Sequence, residues 1–149
     1  MQILLPEESG SALARFLLRN LPPRLFLPGK PAFLFAEKGA LPPRPLTGGI
    51  LIADAEARLS PALKGMLTLT CGPSPKDTFT FSGRGEEEAA VALMRTIPLP
   101  GGTAEPMEVP ISFPAGTGDF LLLAATAALV LSDVLEEKNQ REFIRFYAP

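Results

Sequence analysis

Prolines and glycines divide this chain into short segments, and that division limits the elements it can form. Of its 149 residues, 17 are proline and 13 are glycine. Proline fixes φ and lacks an amide donor, so clusters of these residues mark the joints between elements. The clusters are Leu21–Pro23, Pro28–Pro31, Leu41–Pro45, Gly72–Pro75 and Pro98–Gly102. None of them is long enough to be a domain linker, so we expect a single domain over residues 1–149.

The first half of that domain, 1–76, has the pattern of a mostly parallel α/β structure. Gln2–Leu5 predicts a strand, and Ser9 or Ser11 then caps a helix that ends near Asn20. The next segments are short, apolar and typical of strands buried on both faces. They are Arg24–Leu27, Ala32–Ala36, Gly49–Asp54 and Met66–Cys71, with a short helix expected at about 57–64.

The middle of the chain, 77–113, changes character. Thr78–Ser82 and Met107–Phe113 alternate apolar and polar residues, which predicts half-exposed strands in a small antiparallel sheet. Ala89–Ile97 is also strand-like, and Gly83–Glu86 and Gly101–Thr103 are the expected turns. Pro110 lacks a donor for a ladder, so its strand is predicted to lie at an edge.

The last part, 114–149, is predicted to hold a buried helix and a C-terminal element. Phe120–Val134 is apolar nearly all round, which is typical of a helix without a solvent face. Glu142–Tyr147 alternates and is predicted to be an edge strand or a final helical turn. The Pro110 strand and the apolar helix together predict a homodimer that buries part of their surface. The expected fold class is α/β: a mostly parallel sheet flanked by helices, with an attached small antiparallel sheet.

The composition excludes several kinds of chemistry. The chain has no histidine and one cysteine, Cys71. Histidine is the side chain whose pKa lies nearest neutrality and is the commonest metal ligand. Catalytic triads, Cys-His pairs, His-rich metal sites and internal disulfides are therefore ruled out. We expect neither a metal nor a cofactor.

Charge and hydropathy limit the partners. Fourteen basic and sixteen acidic residues give a net charge of −2, without a Lys/Arg run, so no nucleic-acid surface is expected. The longest apolar run, Phe120–Leu131, is shorter than the ~20 residues needed to span a bilayer. The N-terminus lacks the basic region of a signal peptide. We therefore predict a cytoplasmic protein of bacterial type, without membrane association.

From Gly48 onward, three segments follow one another in a distinctive order: Ile50–Ala55, Leu69–Gly72 and Phe113–Asp119, the last followed by Leu123–Leu129. This order resembles the second half of the central, ATP-binding domain of Mur ligases. In that family a strand ends in Asn-x-Asp-Asp, a later strand runs into a Tyr/Phe-Gly turn, and Pro-Gly-x-His-Asn-x-x-Asn opens an Ala-rich helix. The resemblance implies an α/β core of the same kind.

Departures from the family motifs indicate that ligase chemistry is lost. Ile52 stands at the nucleotide-contacting Asn position, Ala55 replaces the second Asp, and no His-Asn follows Pro114. A Gly-x-x-x-x-Gly-Lys-Ser/Thr loop, whose amides would cradle phosphates, occurs nowhere in the sequence. The resemblance therefore implies a degenerate relative that does not use ATP.

Polar residues at the predicted carboxyl edge of the sheet are the candidates for a ligand site. Open α/β sheets bind ligands at that edge, where Asp54 ends one strand and Ser74, Lys76 and Asp77 follow another. Each has a simpler reading: Asp54 can cap the next helix, and Asp77 can cap its own turn. Cys71 is either a buried, inert thiol or a nucleophile assisted by Lys76.

Two further motifs have alternative readings. Glu86–Glu88 is either an acidic cluster for a metal or a solvated turn, because neighbouring side chains on a strand point apart. Gly116–Asp119 is either an anion-binding helix start or a helix N-cap provided by Asp119. We assign no catalytic or metal-binding residue. The sequence favours a non-catalytic module that binds a protein or a small molecule. The alternative is a small enzyme using Asp54, Cys71, Lys76 or Asp77.

Overall fold

An eight-stranded sheet organises the molecule, seen in a computed structural model that describes residues 1–5, 11–39, 48–59 and 65–149. Two α-helices lie within these residues, α1 (Ala12–Asn20) and α2 (Asp119–Leu135). The main sheet has the strand order β1-β2-β3-β4-β5-β6-β9-β10, and β7 and β8 form a separate hairpin. The strands are β1 (Gln2–Ile3), β2 (Ala32–Ala36), β3 (Ile50–Asp54), β4 (Leu67–Cys71), β5 (Phe79–Arg84), β6 (Glu88–Leu93), β7 (Ile97–Leu99), β8 (Gly102–Ala104), β9 (Met107–Ser112) and β10 (Ile144–Arg145).

Strand directions confirm the predicted α/β class. All neighbouring pairs from β1 to β5 are parallel, as are β9 and β10. The pairs β5–β6 and β6–β9 are antiparallel and form the attached antiparallel part. β4 and β5 share a single register pair, Cys71 with Phe79. β5 therefore starts where β4 ends, and the antiparallel part extends beyond the carboxyl end of β4.

The two faces of β2 and β3 explain their unbroken apolar sequence. Phe33, Phe35, Ile50 and Ile52 belong to the large core cluster that also contains residues of α1 and α2. The alternate residues form a second cluster on the opposite face: Leu34, Ala36, Leu51 and Ala53, with Met66. Because successive side chains of a strand point to opposite faces, a strand buried on both sides has no polar position. The prediction of doubly buried strands is confirmed here.

Helix α2 is apolar all round because other elements surround it. Its residues from Leu122 to Asp133 are buried. It packs against β3, β4 and β5 on the sheet, against α1, and against β8 of the hairpin. The helix begins at Asp119, one residue before the predicted Phe120. It therefore lies in the middle of the core, as its sequence predicts.

Helix α1 links the two ends of the curled sheet. Ser11 is its N-cap, with the hydroxyl accepting from Ala14 N at 3.1 Å. α1 follows β1 at one end of the strand order, yet its Phe16 ring lies 5.4 Å from that of Phe146, which follows β10 at the other end. Eight flat strands would span roughly 34 Å at ~4.8 Å per step. The sheet must therefore curl to bring its ends to the same helix.

Three predicted elements differ from the structure. The segment predicted as strand Arg24–Leu27 is mostly a 3₁₀ helix, Pro23–Phe26, because two prolines favour a turn in which Leu25 N donates to Pro22 O. The predicted strand Ala89–Ile97 divides into β6 and β7. The helix expected at about 57–64 is absent from 57–59, and the remainder lies outside the described residues.

The position of Pro110 is a further correction. Its strand, β9, is not at the edge, because β10 pairs with Ile111 and Ser112. Proline is tolerated because the β10 ladder starts one residue after it, so its missing amide is not needed there. β10 is the edge strand, which confirms one of the two alternatives for the C-terminal segment.

The surfaces that motivated the homodimer are covered within the chain. Most of α2 is buried, and β10 pairs with the end of β9 on the side away from β6. The homodimer stays a prediction, and these two surfaces no longer support it. Neither described helix combines the length and the apolar character needed to cross a membrane.

Candidate functional site

The carboxyl ends of β3 and β4 bring most of the predicted site residues together. Asp54 is the register partner of Cys71, and Ala55 N donates to Cys71 O at 2.9 Å. The turn that holds Ser74, Lys76 and Asp77 follows directly after Cys71. We call the segments Ala55–Ala57 and Gly72–Asp77 the edge turns.

Asp54 uses its carboxylate to hold the first edge turn. Its Oδ1 accepts from Glu56 N at 2.8 Å, and its carbonyl accepts from Ala57 N at 2.9 Å. An aspartate that bonds to the backbone two residues on is a common way to stabilise a turn. The side chain is only half-buried, so one face of the carboxylate remains open to solvent.

Side chains of the second edge turn stabilise it in the same way, by accepting hydrogen bonds from its backbone. Asp77 Oδ2 accepts from Ser74 N at 3.1 Å, and Ser74 Oγ accepts from Lys76 N at 3.1 Å. Asp77 is buried, whereas Lys76 is exposed. Lys76 takes part through its backbone, since its carbonyl also accepts from the guanidinium of Arg95. Two of these side chains therefore cap the turn, and the Lys76 ammonium group extends from it.

Gly72 is the point where the two edge turns touch. A Cβ atom built on this glycine would lie 2.5 Å from the Cβ of Ala55 and 2.5 Å from Oδ2 of Asp77. Real Cβ atoms do not come so close to other atoms, so only glycine fits between the turns without a shift. The two turns are therefore packed together without space for a side chain between them.

The Cys71 thiol lies beneath these turns. It is buried, and burial raises its pKa well above the usual range, with the nearby carboxylates of Asp54 and Asp77 adding to the rise. A thiol must ionise to act as a nucleophile. In this environment Cys71 stays protonated, which agrees with the reading of an inert buried cysteine.

This raised pKa predicts a loss of stability at alkaline pH. In the unfolded chain the thiol ionises near its ordinary pKa of about 8.5, while in the folded chain it stays protonated. The stabilising contribution is therefore complete below pH 8.5 and falls by about 1.4 kcal/mol per pH unit above it, until the folded thiol ionises. Urea unfolding of the wild type and of Cys71→Ala between pH 7 and pH 10 measures this difference.

Other groups also titrate in that range, so the effect of the thiol is obtained from the difference in unfolding free energy between the wild type and Cys71→Ala. The free energies of unfolding should run parallel up to about pH 8 and then converge, because only the wild type loses the thiol term. A constant difference up to pH 10 would contradict the raised pKa. A thiol that is alkylated at pH 7 without denaturant would contradict it as well.

Sequence reasoning missed Lys38, which lies after β2 at the same edge. Its Nζ atom lies 2.6 Å from Oε2 of Glu56, and this contact, with a weaker effect of Asp54, raises the pKa of the lysine. Both side chains are largely exposed. The signal was present in the sequence, because Lys38 follows a predicted strand just as Asp54 does. The edge therefore carries Lys38, Glu56 and Lys76 as exposed charges.

Among the strands that the structure describes, the order gives this edge no switch-point crevice. Open α/β sheets bind ligands where the strand order reverses, and here β1 to β5 follow one another without reversal. Among the described residues, no group of three or more His, Cys, Asp or Glu side chains is placed to hold a metal ion. In the described residues, this edge presents a surface of two packed turns.

A second concave region lies between the β5–β6 turn and the start of α2. It has a volume of about 550 Å³ and is lined by Arg84, Gly85, Glu86, Ala115 and Gly116. Arg84 donates to Asp119 Oδ1 at 3.0 Å and to Thr117 O at 3.2 Å, and its guanidinium lies 4.6 Å from the centre of the Phe113 ring. Because Arg84 is already paired, and Glu86 and Asp119 are acidic, this groove does not favour an anion.

The start of α2 corrects the prediction that Asp119 is an N-cap. Gly118 occupies the cap position without a side-chain bond, and Asp119 is the first helical residue, paired with Arg84. The carboxylate still stabilises the helix, because acidic groups in the first turn interact favourably with the helix dipole. Glu86 and Glu87 are exposed in the turn and Glu88 is exposed at the start of β6, which is the arrangement of a solvated turn.

The chain matches none of the family models, curated proteins or solved structures with which it was compared.

Proposed function

We propose that this chain is a non-catalytic module that binds a small molecule or a protein through its edge turns. The observation that supports the proposal is that Asp54, Ser74 and Asp77 bond to the backbone of their own turns. A side-chain oxygen of each accepts a backbone N–H of its own turn, at 2.8–3.1 Å. Groups bonded in this way hold the backbone in place, and a preorganised surface loses little conformational entropy on binding.

Three exposed charges supply the recognition in this proposal. Lys76 extends from the second turn, and the Lys38–Glu56 pair lies beside the first. The rigid turns set the spacing of these groups, and the ligand would replace water around them. The same proposal includes a relationship to a degenerate Mur ligase domain, which rests on the order of features from Gly48 onward, and a location in the cytoplasm. The missing phosphate loop supports a domain that does not use ATP.

The alternative is a small enzyme using Asp54, Cys71, Lys76 or Asp77. One observation favours it: the carboxylates of Asp54 and Asp77 both lie close enough to Cys71 to affect its ionisation. Both carboxylates raise the pKa of the thiol, which is the wrong direction for a nucleophile. The alkaline unfolding and alkylation experiments above test whether Cys71 can act as the nucleophile of such an enzyme.

Amide NMR spectra recorded with a set of water-soluble fragments test the binding surface. We expect the fragments that bind to shift the amide signals of Glu56, Ser74 and Lys76. Lys76→Ala should weaken these fragments several-fold, because it removes an exposed charge that the rigid turn holds in position. Lys30→Ala is the matched control: this exposed lysine precedes β2, at the opposite end of the parallel strands, and its loss should change nothing.

Mg-ATP is the second ligand tested in the same experiment. At a hundred times its dissociation constant a ligand adds about 2.7 kcal/mol of stability, which would raise the melting temperature by several degrees. Millimolar Mg-ATP should leave both the spectrum and the melting temperature unchanged. A shift that Mg²⁺ alone does not produce would favour the enzyme. Fragments that shift only signals around Arg84 and Gly116 would move the binding surface to the groove.

A further inference from the structure

The C-terminal segment is attached to the body of the protein through a strained turn. Glu137, two residues after the end of α2, has φ = 55°. This left-handed conformation is disfavoured for L residues other than glycine, and helices that end this way usually place glycine at that position. Here Lys138 N donates to Asp133 O and Glu137 N to Val134 O, so the turn forms with a residue that does not favour it.

The sequence at this turn favours continuing the helix. From Asp119 to Ala148 the chain contains neither glycine nor proline, although these residues make up about a fifth of the whole chain. The residues from Glu136 to Arg141 are compatible with a helix, and Glu137 and Arg141 would form a favourable pair four residues apart. The turn therefore lacks the residues that normally stop a helix.

The segment beyond the turn, 141–149, makes specific contacts with the body, and we call it the C-terminal arm. Ile144 and Arg145 pair with β9, and Phe146 packs on Phe16. Asn20 binds both backbone groups of Tyr147: its Oδ1 accepts from Tyr147 N at 2.7 Å, and its Nδ2 donates to Tyr147 O at 2.9 Å.

An ion pair between the half-buried Arg141 and the buried Asp133 holds the start of the arm. Arg141 Nε lies 2.8 Å from Asp133 Oδ2, and Asp133 is buried on α2. The ion pair and the other contacts of the arm each join a residue before the strained turn to a residue after it. A second copy of the chain offers the same receiving surface: β9, Phe16, Asn20 and Asp133.

From these observations we propose that the C-terminal arm is exchanged between two copies of this chain, with α2 continuing through Glu137 in the exchanged dimer. The arm makes the same contacts with its partner as it makes within one chain, so the contacts do not oppose exchange. The strained turn disappears in the dimer, and strain in a short hinge favours swapping. The opposing effect is the effective concentration of the tethered arm, which is roughly millimolar for short linkers.

Two substitutions of Glu137 test the exchange. Alanine favours the helix and disfavours the left-handed turn, so Glu137→Ala should increase the dimer. Glycine has the opposite preferences, so Glu137→Gly should favour the monomer. Because a dimer contains two hinges, we expect the dimerisation constants of the two variants to differ by about a hundredfold or more. Light scattering up to roughly millimolar protein measures them, with melting curves as the check on folding.

The wild type should fall between the two variants. Its isolated dimer should dissociate after dilution no faster than the arm leaves its site, because exchange requires that opening. Three results overturn the proposal: all three proteins monomeric up to millimolar concentration, a dimer that does not respond to position 137, or the reverse order of alanine and glycine.

Discussion

Replacement of Phe16 by alanine is expected to lower the free energy of unfolding by about 3–5 kcal/mol. Phe16 is 1% exposed and its ring contacts that of Phe146, so it joins α1 to the far end of the curled sheet. A domain of this size has a total stability of about 5–15 kcal/mol. The melting temperature should therefore fall by roughly 6–20 °C, as measured by circular dichroism.

Leu18→Ala is the matched control on the same helix. Leu18 is 53% exposed, so its removal should change stability by no more than about 0.5 kcal/mol. Equal effects of the two substitutions would show that α1 does not bury the face described above. A large effect of Leu18→Ala alone would show that the opposite face of the helix is covered in solution.

Replacement of Gly72 by alanine is expected to destabilise the protein by about 1–3 kcal/mol. The new methyl group would overlap with Ala55 and with the Asp77 carboxylate, which caps the second edge turn. The two turns would have to separate, and the cap at Ser74 would weaken. Urea unfolding measures the effect, and fragment binding at the edge turns should be lost with it.

Gly83→Ala controls for the change from glycine to alanine. No atom lies within 4 Å of a Cβ built on Gly83, and its φ is not in the left-handed region. Alanine there should leave stability unchanged or raise it by up to about 1 kcal/mol. Adding Ala55→Gly to the Gly72→Ala protein removes one of the two clashes, so part of the lost stability should return. If the stability does not recover, the strain comes from the overlap with the Asp77 carboxylate and not from Ala55.

The parts of the fold that could be predicted from sequence depend on local patterns. Ser11 precedes a helix with apolar residues every three or four positions. The sequence of α2 is apolar, and the helix is buried in the core. The strands from Ala32 to Cys71 are short apolar runs between prolines. Each of these signals lies within a few residues of the element it predicts, so it does not depend on the rest of the chain.

The errors arise where distant residues decide the result. β10 lies beside β9 although about thirty residues separate them in sequence, so the strand that contains Pro110 could not be recognised as an interior strand. Asp119 is the first helical residue rather than the predicted cap, and its partner Arg84 lies 35 residues away in sequence. In the candidate site, the turns could be predicted from Asp54 and Asp77. Their packing around Gly72 required the register of β3 and β4.

The bond between Asn20 and Tyr147 also has a consequence for how the chain folds. These residues are 127 positions apart, and the core helix α2 contacts β3, β4 and β5, which precede it by about 35 to 70 residues. Contacts of such long range slow folding, because loop-closure entropy is lost before the contact stabilises the chain. During synthesis, the apolar faces of β2, β3 and α1 leave the ribosome well before α2 can cover them. The interval before α2 is made is therefore when the chain is most exposed to aggregation and most in need of a chaperone.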